Sequence, residues 1–334
     1  CLLRGCIPSK ALLHVARVIS EVDELREDWG VEYPSPSINV DAVRARKEKV
    51  IDTLSGGLKQ LAKRRKIRRI VARGSFENST TLKLEGEDES IPEGGTLTFD
   101  HCILATGSVP AMPPMFRLDT DRVMDSTGAL ALSDLPETML VVGGGYIGLE
   151  MGTVYAQLGT KVSVVELTDG LLPGADRDLV KPLHKRLEKL FDGRIFLNTK
   201  VGSLGDRNDK VEAAFEGPGK FGTEQYDRVL VSIGRRPETN DIDLENTKVE
   251  LAPRGFAVCD AQQRTGDPHI SAIGDGAGEP MLAHKATHEG RIAVEALLDK
   301  PVEFAPRAIP AVVFTDPEIA WAGLTQDEAK RDEI

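Results

Sequence analysis

Cysteine, long apolar runs and excess positive charge are all scarce in this sequence. Only four cysteines occur in 334 residues, too few for the disulfide framework of a small secreted scaffold. No apolar run is long enough to cross a bilayer as a helix. The formal net charge is −11, so the surface would repel nucleic acid rather than attract it. The sequence therefore predicts neither a membrane span nor a nucleic-acid partner.

Two of the four cysteines stand five positions apart at the beginning of the sequence. Cys1 and Cys6 lead into 10–28, a run whose pattern predicts one amphipathic helix. In an ideal helix, residues i and i+5 lie about 7.5 Å apart along the axis, whereas a disulfide needs Cα atoms roughly 4.4–6.8 Å apart. A bridge would therefore need a distorted first helical turn, which Gly5 and Pro8 permit.

The surroundings of these cysteines favour a redox-active pair. A bridge there would lie near a helix N-terminus and near the cation of Lys10, and both conditions make a disulfide labile. On this pattern alone, a purely structural disulfide between Cys1 and Cys6 remains an alternative interpretation. Zinc would need two more ligands, and Cys102 and Cys259 stand far along the chain in apolar strands. We therefore predict no metal site.

A complete strand–turn–helix–strand unit lies in the middle of the chain. The runs 139–142 and 162–165 predict two buried strands, and a Gly-x-Gly-x-x-Gly turn that opens a helix separates them. Such a turn lets backbone N–H groups approach a pyrophosphate at the helix N-terminus. Glu166 ends the second strand, where its carboxylate could accept hydrogen bonds from ribose hydroxyls; a solvated strand-end charge is the alternative. The predicted NAD contacts of this unit are Gly143, Gly144, Gly145, Tyr146, Ile147, Gly148 and Glu166.

An internal repeat suggests a second unit of the same kind. The segments 100–110 and 227–237 share Asp, Gly and Pro at the same spacing, and each predicts a buried strand that ends in a glycine turn. Two copies predict two nucleotide-binding units. No glycine-rich loop precedes the first copy, so we expect that loop to lie upstream of Cys1 in a longer protein.

The segment Cys1-x4-Cys6-Ile7-Pro8-Ser9-Lys10 resembles the redox segment of the pyridine nucleotide–disulfide oxidoreductases, a family of flavoenzymes. The resemblance implies an α/β fold with two three-layer, Rossmann-like nucleotide-binding domains and the start of an α+β interface domain. The implied limits are 1–118 and 250–304 for the FAD-binding domain, 119–249 for the NAD-binding domain and 305–334 for the start of a C-terminal dimerisation domain. One departure is Leu3, where the family usually has Asn.

The resemblance also assigns the site residues. It places Cys1 toward the substrate and Cys6 beside the flavin, with Lys10 near the flavin and paired to Glu150; a helix-surface charge is the alternative for Glu150. The implied FAD contacts are Lys10, Gly74, Thr106, Gly107, Ser108, Asp275, Met281, Leu282, Ala283 and His284. Two further implied NAD contacts are Val201 and Gly234.

The activity that the resemblance implies is oxidation of dihydrolipoamide to lipoamide, with FAD as cofactor and NAD reduced to NADH. It would serve a 2-oxoacid dehydrogenase or glycine cleavage complex, as a cytoplasmic homodimer that acts on a lipoyl domain. Glutathione- or mercuric-reductase-like activity, or a non-catalytic flavoprotein subunit, are the alternatives. No arginine stands in 167–170, so we expect NAD rather than NADP. The family's first glycine loop and its His–Glu base have no counterpart in this chain, so we expect the fragment alone to be inactive.

Overall fold

Seven α-helices and seventeen mostly short strands make up the fold, and the computed structural model describes residues 1–334. The helices are α1 (Cys6–Asp28), α2 (Val40–Arg64), α3 (Ser126–Ala131), α4 (Tyr146–Gln157), α5 (Arg177–Leu190), α6 (Ala283–Leu297) and α7 (Gln326–Arg331). The first nine strands are β1 (Arg73–Asn78), β2 (Thr81–Glu85), β3 (Thr96–Thr98), β4 (Cys102–Leu104), β5 (Ser108–Pro110), β6 (Val123–Met124), β7 (Thr138–Val142), β8 (Lys161–Val165) and β9 (Ile195–Phe196). The others are β10 (Lys200–Arg207), β11 (Lys210–Glu216), β12 (Gly222–Tyr226), β13 (Arg228–Val231), β14 (Arg235–Pro237), β15 (Ile270–Ala272), β16 (Ala311–Val313) and β17 (Ile319–Trp321).

The chain divides into two compact units. The first unit comprises Cys1–Gly57, Pro110–Gly234 and Pro310–Ile334, and the second comprises Leu58–Val109 and Arg235–Ile309. This grouping puts α1 with the GxGxxG segment, because α1 packs directly on α4. The domain limits drawn from the resemblance group the chain differently and stay a prediction.

A five-stranded parallel sheet forms the centre of the first unit. Its strand order is β6-β13-β7-β8-β9, and every neighbouring pair is parallel. The central strands are continuous apolar runs, as expected for strands covered on both faces, and Met139, Leu140 and Val141 of β7 are completely buried. The helix α4 connects β7 to β8, which is the β–α–β arrangement predicted from the sequence. The Rossmann-like fold class is confirmed for this unit.

The helix α1 begins earlier than its sequence pattern suggested. It starts at Cys6 rather than Lys10 and ends at Asp28 as predicted. Its buried apolar residues are Pro8, Leu12, Leu13 and Ala16, whose spacing of three and four residues directs them to one side of a helix. This stripe packs into the same core as α4.

The sequence pattern after residue 40 predicts a second helix with Asp41 as its N-cap, and the structure shows that this cap is wrong. The cap is Asn39, whose Oδ1 accepts a hydrogen bond from the backbone N–H of Ala42 at 3.0 Å. Asp41 lies inside the first turn of α2 and pairs with Arg44 instead. Both residue types favour helix starts, and only the observed start distinguishes them.

The second unit contains three small sheets and α6. Short β-like runs between Gly, Asn and Asp residues predict a small meander over 67–99, and this is confirmed, since β1, β2 and β3 form one antiparallel sheet. The strands β4 and β15 pair in parallel, and β5 pairs with β14. A cluster of buried apolar residues in this unit consists of Phe76, Leu104, Leu244, Ala257, Ile270 and Ala272. The first copy of the repeat thus has only β4 and β15 as its parallel sheet here.

A charged cluster joins two segments of the first unit. Glu224 accepts hydrogen bonds from the side chains of Arg194 and Lys220, and from the hydroxyl of Tyr226 at 2.9 Å. Burial alone would raise the pKa of the Glu224 carboxyl, but the bonds from Lys220, Arg194 and Tyr226 outweigh it and lower this pKa to about 2. The cluster therefore stabilises the fold only while the carboxylate is ionised.

Candidate active site

Cys1 and Cys6 are joined by a disulfide that spans the start of α1. Their Cα atoms are 4.6 Å apart. Cys1 to Gly5 form a turn outside the helix and Cys6 is the first helical residue, so the bridge spans an irregular turn before the helix, and no regular helical turn has to accommodate it. A Cβ at Gly5 would lie 3.1 Å from Cys1 Cα, which explains a glycine at this close approach. Pro8 fits the first helical turn, where its missing N–H costs no intrahelical bond.

The predicted pair Lys10 and Glu150 is brought together by α1 and α4. The Nζ of Lys10 donates to Glu150 Oε1 at 2.9 Å and to Oε2 at 2.8 Å. The Glu150 side chain is only 4% exposed, which excludes the alternative of a helix-surface charge, whereas the Lys10 side chain is 33% exposed. Oε1 also accepts the backbone N–H of Phe314 at 3.1 Å, a contact that the sequence did not reveal. Because Lys10 follows Cys6 by four residues, it lies on the same helix face as the disulfide.

The glycine loop between β7 and α4 packs tightly against its own backbone at Gly148 and leaves open space at Gly145. A Cβ at Gly148 would lie 2.3 Å from the carbonyl oxygen of Gly143, so no side chain fits there. A Cβ at Gly145 would meet nothing within 4 Å. Gly145 is the N-cap of α4, and no side chain caps this helix. The N-terminus of α4 is thus open in front of Gly145, which fits the pyrophosphate of a dinucleotide.

Glu166 braces this loop. Its Oε2 accepts the backbone N–H of Gly144 at 2.7 Å, and Oε1 accepts the backbone N–H and the hydroxyl of Thr168, both at 2.8 Å. The residue is 7% exposed, so the alternative of a solvated carboxylate is wrong. A carboxylate has about four acceptor positions, and these three bonds leave one for a ribose hydroxyl. The bracing of Gly144 was not predicted, since sequence spacing does not show which donor a carboxylate meets.

The first residue of α5, Arg177, is a cation that is already engaged with the loop after Glu166. Arg177 donates to the carbonyl oxygens of Leu171 at 2.9 Å, Leu172 at 2.8 Å and Ala175 at 2.6 and 3.1 Å. Its guanidinium therefore holds the loop together. A 2′-phosphate at this position would have to compete with those carbonyls.

The other predicted NAD contacts lie in different environments. Tyr146 and Ile147 form the first turn of α4, directly after the loop. Val201 in β10 is 3% exposed and belongs to the apolar core of the unit, so its side chain is not available at the surface. Gly234 follows β13, and its carbonyl oxygen accepts the N–H of Ala111. Any contact of Val201 with adenine would have to use its main chain.

Several predicted FAD residues gather around Asp275 in the second unit. Asp275 lies in the 3-10 turn Gly274–Gly276 after β15, and its Oδ2 accepts the hydroxyl of Ser108. Thr106 is beside the same turn, since its Oγ1 lies 3.7 Å from an ideal Cβ at Gly276. A Cβ at Gly107 would meet nothing within 4 Å. A carboxylate beside open backbone fits the polyhydroxyl part of a flavin nucleotide.

Arg235 is a further member of this group that the sequence did not single out. Its Nε donates to Ser108 Oγ at 2.7 Å and its Nη2 donates to Ser108 O at 2.6 Å. It stands directly after Gly234 in the second copy of the repeat. The sequence repeat could have drawn attention to Arg235. A repeat does not show, however, that Arg235 of the second copy contacts Ser108 of the first.

A buried ion pair on α6 contacts the backbone of the turn that carries Asp275. Lys285 and Glu289 are 2.8 Å apart, and both side chains are 4% exposed. Glu289 accepts the N–H of Gly274 at 2.7 Å, and Lys285 donates to the carbonyl oxygens of Gly274 at 3.2 Å and Gly278 at 3.0 Å. The hydrogen bonds of both residues therefore fix the turn that carries Asp275. Removing either residue would leave the other as a buried, unpaired charge.

The remaining predicted FAD residues differ in their relation to this turn. Met281 and Leu282 precede α6, and Ala283 and His284 begin it. Gly74 lies in β1, where it pairs with Leu84 and shares no hydrogen bond with the Asp275 turn. The structure therefore brings Thr106, Gly107, Ser108 and Asp275 together, but it does not bring Gly74 to them.

A cleft of about 830 Å³ opens beside the Lys10–Glu150 pair in the first unit. It is lined by residues of α1, α4, α5 and the segment Phe314–Glu318, which follows β16. Arg186 of α5 crosses it to Glu24 and to Asp316 Oδ2, the latter at 2.9 Å. No group of three His, Cys, Asp or Glu residues is arranged to hold a metal ion. None of the helices combines the length and apolarity that a bilayer span requires.

The fold, the disulfide and the nucleotide loop define a pyridine nucleotide-dependent disulfide oxidoreductase. The family model described as pyridine nucleotide-disulphide oxidoreductase matches residues 1–290, and the chain belongs to this family. The family implies FAD and NAD(H) as cofactors.

Curated relatives make the comparison more specific. The chain is 46% identical to a dihydrolipoyl dehydrogenase of Vibrio cholerae over 336 residues, covering 100% of this chain and 69% of the relative. It is 38% identical to the dihydrolipoyl dehydrogenase of Bacillus subtilis, covering 99% of this chain and 69% of the relative.

Solved structures agree on the fold. LpdA from Mycobacterium tuberculosis superposes with a TM-score of 0.87 at 26% identity, covering 100% of this chain and 72% of that chain. The HOCl-induced flavoprotein disulfide reductase RclA from Escherichia coli gives 0.82 at 25% identity, covering 99% and 70%.

Proposed function

We propose that this protein oxidises dihydrolipoamide to lipoamide with NAD as the final electron acceptor. The observation that carries the proposal is the Cys1–Cys6 disulfide at the start of a helix whose next turn presents Lys10. The curated relatives named above are dihydrolipoyl dehydrogenases, which favours this substrate over glutathione disulfide or mercuric ion.

The chemistry of the chain's own residues is a thiol–disulfide exchange. A thiolate of dihydrolipoamide attacks Sγ of Cys1, the Cys1–Cys6 bond breaks, and Cys6 leaves as a thiolate. The second substrate thiol, once deprotonated, attacks the substrate sulfur that is bonded to Cys1; the bond to Cys1 breaks, Cys1 leaves as a thiolate, and the lipoamide disulfide closes. Two electrons and two protons leave the substrate, and the protein's disulfide becomes a dithiol.

The position of Cys6 suits the role of leaving group. It is the first residue of α1, where the helix N-terminus stabilises a negative charge. Lys10 stands on the same face one turn later, with Glu150 holding its ammonium. Cys1 lies outside the helix, so the helix N-terminus does not stabilise its thiolate in the same way. When bound, FAD would supply two-electron transfer between the dithiol and NAD, and the residues that would hold it are Thr106, Gly107, Ser108 and Asp275.

We assign NAD rather than NADP to the Gly143–Gly148 loop. The acceptor position that remains on Glu166 suits a ribose hydroxyl, and a 2′-phosphate would face its negative charge. Arg177 is engaged with loop carbonyls and offers no compensating charge. A 2′-phosphate would meet a like charge with no free cation to offset it, so NAD should be preferred by a large factor in kcat/KM.

Substrate competition tests this function. The full-length protein, loaded with FAD, is assayed with dihydrolipoamide and NAD, with dihydrolipoamide and NADP, and with glutathione disulfide and NADH. We expect turnover with the first combination only. Equal efficiency with NAD and NADP would overturn the nucleotide assignment, and turnover restricted to glutathione disulfide would overturn the substrate assignment.

The wider setting is proposed from the resemblance. We place the protein in the cytoplasm as a homodimer that acts on a lipoyl domain of a 2-oxoacid dehydrogenase or glycine cleavage complex. Sedimentation of the full-length protein, alone and with an isolated lipoyl domain, tests the dimer and the partner separately.

A further inference from the structure

Phe314 contacts both members of the Lys10–Glu150 pair through two different groups. Its backbone N–H donates to Glu150 Oε1 at 3.1 Å. Its ring lies 4.4 Å from the Nζ of Lys10, measured to the ring centroid. A cation within about 6 Å of an aromatic centroid is attracted by the ring face. One residue therefore holds the carboxylate with its main chain and the ammonium with its side chain.

Glu150 and Lys10 differ in how strongly their positions depend on the contacts with Phe314. Glu150 is almost completely buried and cannot exchange its partners for water. Lys10 is one-third exposed, so its long side chain can swing into solvent. The ring of Phe314 is the second attractive contact of the ammonium besides the carboxylate. Removing the ring would leave Lys10 freer while Glu150 kept its bond to the Phe314 N–H.

The segment that carries Phe314 is itself anchored on both sides of the cleft. Asp316 pairs with Arg186 of α5 at 2.9 Å, and Glu318 pairs with Arg17 of α1 at 3.6 Å. Alternate residues of the segment 314–318 thus reach three different parts of the first unit. This anchoring keeps the ring over Lys10.

The position of the Lys10 ammonium matters for Cys6. The two residues are separated by one helical turn, and side chains four apart on a helix have Cβ atoms about 5–6 Å apart. A positive charge held on the helix face that carries Cys6 favours the thiolate of a reduced cysteine over the thiol. A Lys10 that moves into water gives Cys6 less of this stabilisation.

We propose that Phe314 is a positioning residue for the dithiol: its ring holds the Lys10 ammonium near Cys6 and so keeps the reduced Cys6 reactive. The proposal rests on the proposed function only in taking the dithiol as the reacting group. It predicts that an aromatic ring is needed at position 314, whereas an aliphatic side chain of similar size does not suffice.

The test measures Cys6 directly rather than turnover. In the full-length protein carrying Cys1→Ser, Cys6 is alkylated with iodoacetamide at pH 7 and its rate constant is followed by peptide mass spectrometry. Phe314→Leu should lower the rate about two- to fivefold, the range that corresponds to an exposed cation–π contact. Phe314→Tyr, which keeps the ring, should restore the original rate. Phe314→Met is a second ring-free variant, with the same fall expected should the leucine variant fail to fold.

A double-mutant cycle separates positioning from packing. In the Lys10→Met background, Phe314→Leu should cause no further fall, because the ring would act only through the ammonium. Phe256→Leu is the matched control, since Phe256 makes a cation–π contact with Arg254 in the second unit, and it should leave the Cys6 rate unchanged. An equal fall in the Lys10→Met background, or no recovery with tyrosine, would overturn the proposal. None of these readings uses lipoamide, so a failure of the proposed function would be recognised separately.

Discussion

The Lys10–Glu150 pair should respond unequally to the loss of either partner. Lys10→Met leaves a carboxylate that is 4% exposed without its cation. Glu150→Gln leaves an ammonium on a side chain that is 33% exposed and can reach water. The amide also keeps an oxygen that can accept the N–H of Phe314. The lysine variant should therefore be the more destabilised of the two.

The magnitudes follow from burial. Removing one partner of a buried ion pair costs about 3–5 kcal/mol, and the remaining bond from the Phe314 N–H reduces this for Lys10→Met to about 3 kcal/mol. Glu150→Gln should cost about 1 kcal/mol, the usual contribution of one hydrogen bond. The double variant Lys10→Met/Glu150→Gln should lose less than the sum, since no buried charge remains in it.

Guanidinium unfolding of the full-length variants measures these differences from the midpoints at constant slope. Asp41→Asn serves as the control, because the Asp41–Arg44 pair is largely exposed on its acidic side and should contribute within about 1 kcal/mol. A larger loss for Glu150→Gln than for Lys10→Met would refute the argument that burial of the carboxylate decides the energetics. Strict additivity in the double variant would refute it as well.

Three further outcomes can be checked. Gly148→Ala should abolish NADH binding in calorimetry, since its Cβ would lie 2.3 Å from a carbonyl oxygen, whereas Gly145→Ala should fold and bind NADH more weakly; equal binding by both would contradict the assigned loop geometry. In the reduced, native protein, Ellman's reagent should react fast with two thiols and slowly with Cys102 and Cys259, because burial raises the pKa of both, that of Cys259 to about 11. Glu224, with its pKa lowered from 4.5 to about 2, should contribute stability that is complete above pH 4.5 and lost as the pH falls toward 2; Glu224→Gln should flatten the urea midpoints over that range, and an unchanged profile would exclude this cause.

Local patterns predicted the parts of the fold whose signals are contiguous in sequence. The strand β7, the glycine loop and α4 follow one another without interruption, so periodicity and the GxGxxG spacing were sufficient. The start of α1 was missed by four residues because Pro8 and Gly5 obscure the helical pattern, although proline is tolerated in a first turn. The sequence does not distinguish Asp41 from Asn39 as the cap of α2, because both residue types suit a helix start.

Contacts between residues far apart in the chain could not be predicted from local sequence patterns. Lys10 and Glu150 are 140 positions apart, and their pairing was expected only from the resemblance. Phe314, Arg235 and the buried Lys285–Glu289 pair had no motif of their own, since each acts through contacts that form only after folding. Glu166 was identified, but its bond to the Gly144 N–H depends on the turn geometry rather than on spacing.

The dithiol is the centre of this account, and one comparison tests it most directly. The full-length protein with FAD is assayed for NADH formation from dihydrolipoamide, together with its Cys1→Ser and Cys102→Ser variants. Cys1→Ser should lower kcat by about three orders of magnitude or more, as expected when a nucleophilic exchange partner is removed, and Cys102→Ser should retain near-normal turnover. Comparable rates in the native protein and Cys1→Ser would contradict the assignment of the Cys1–Cys6 disulfide as the reacting group.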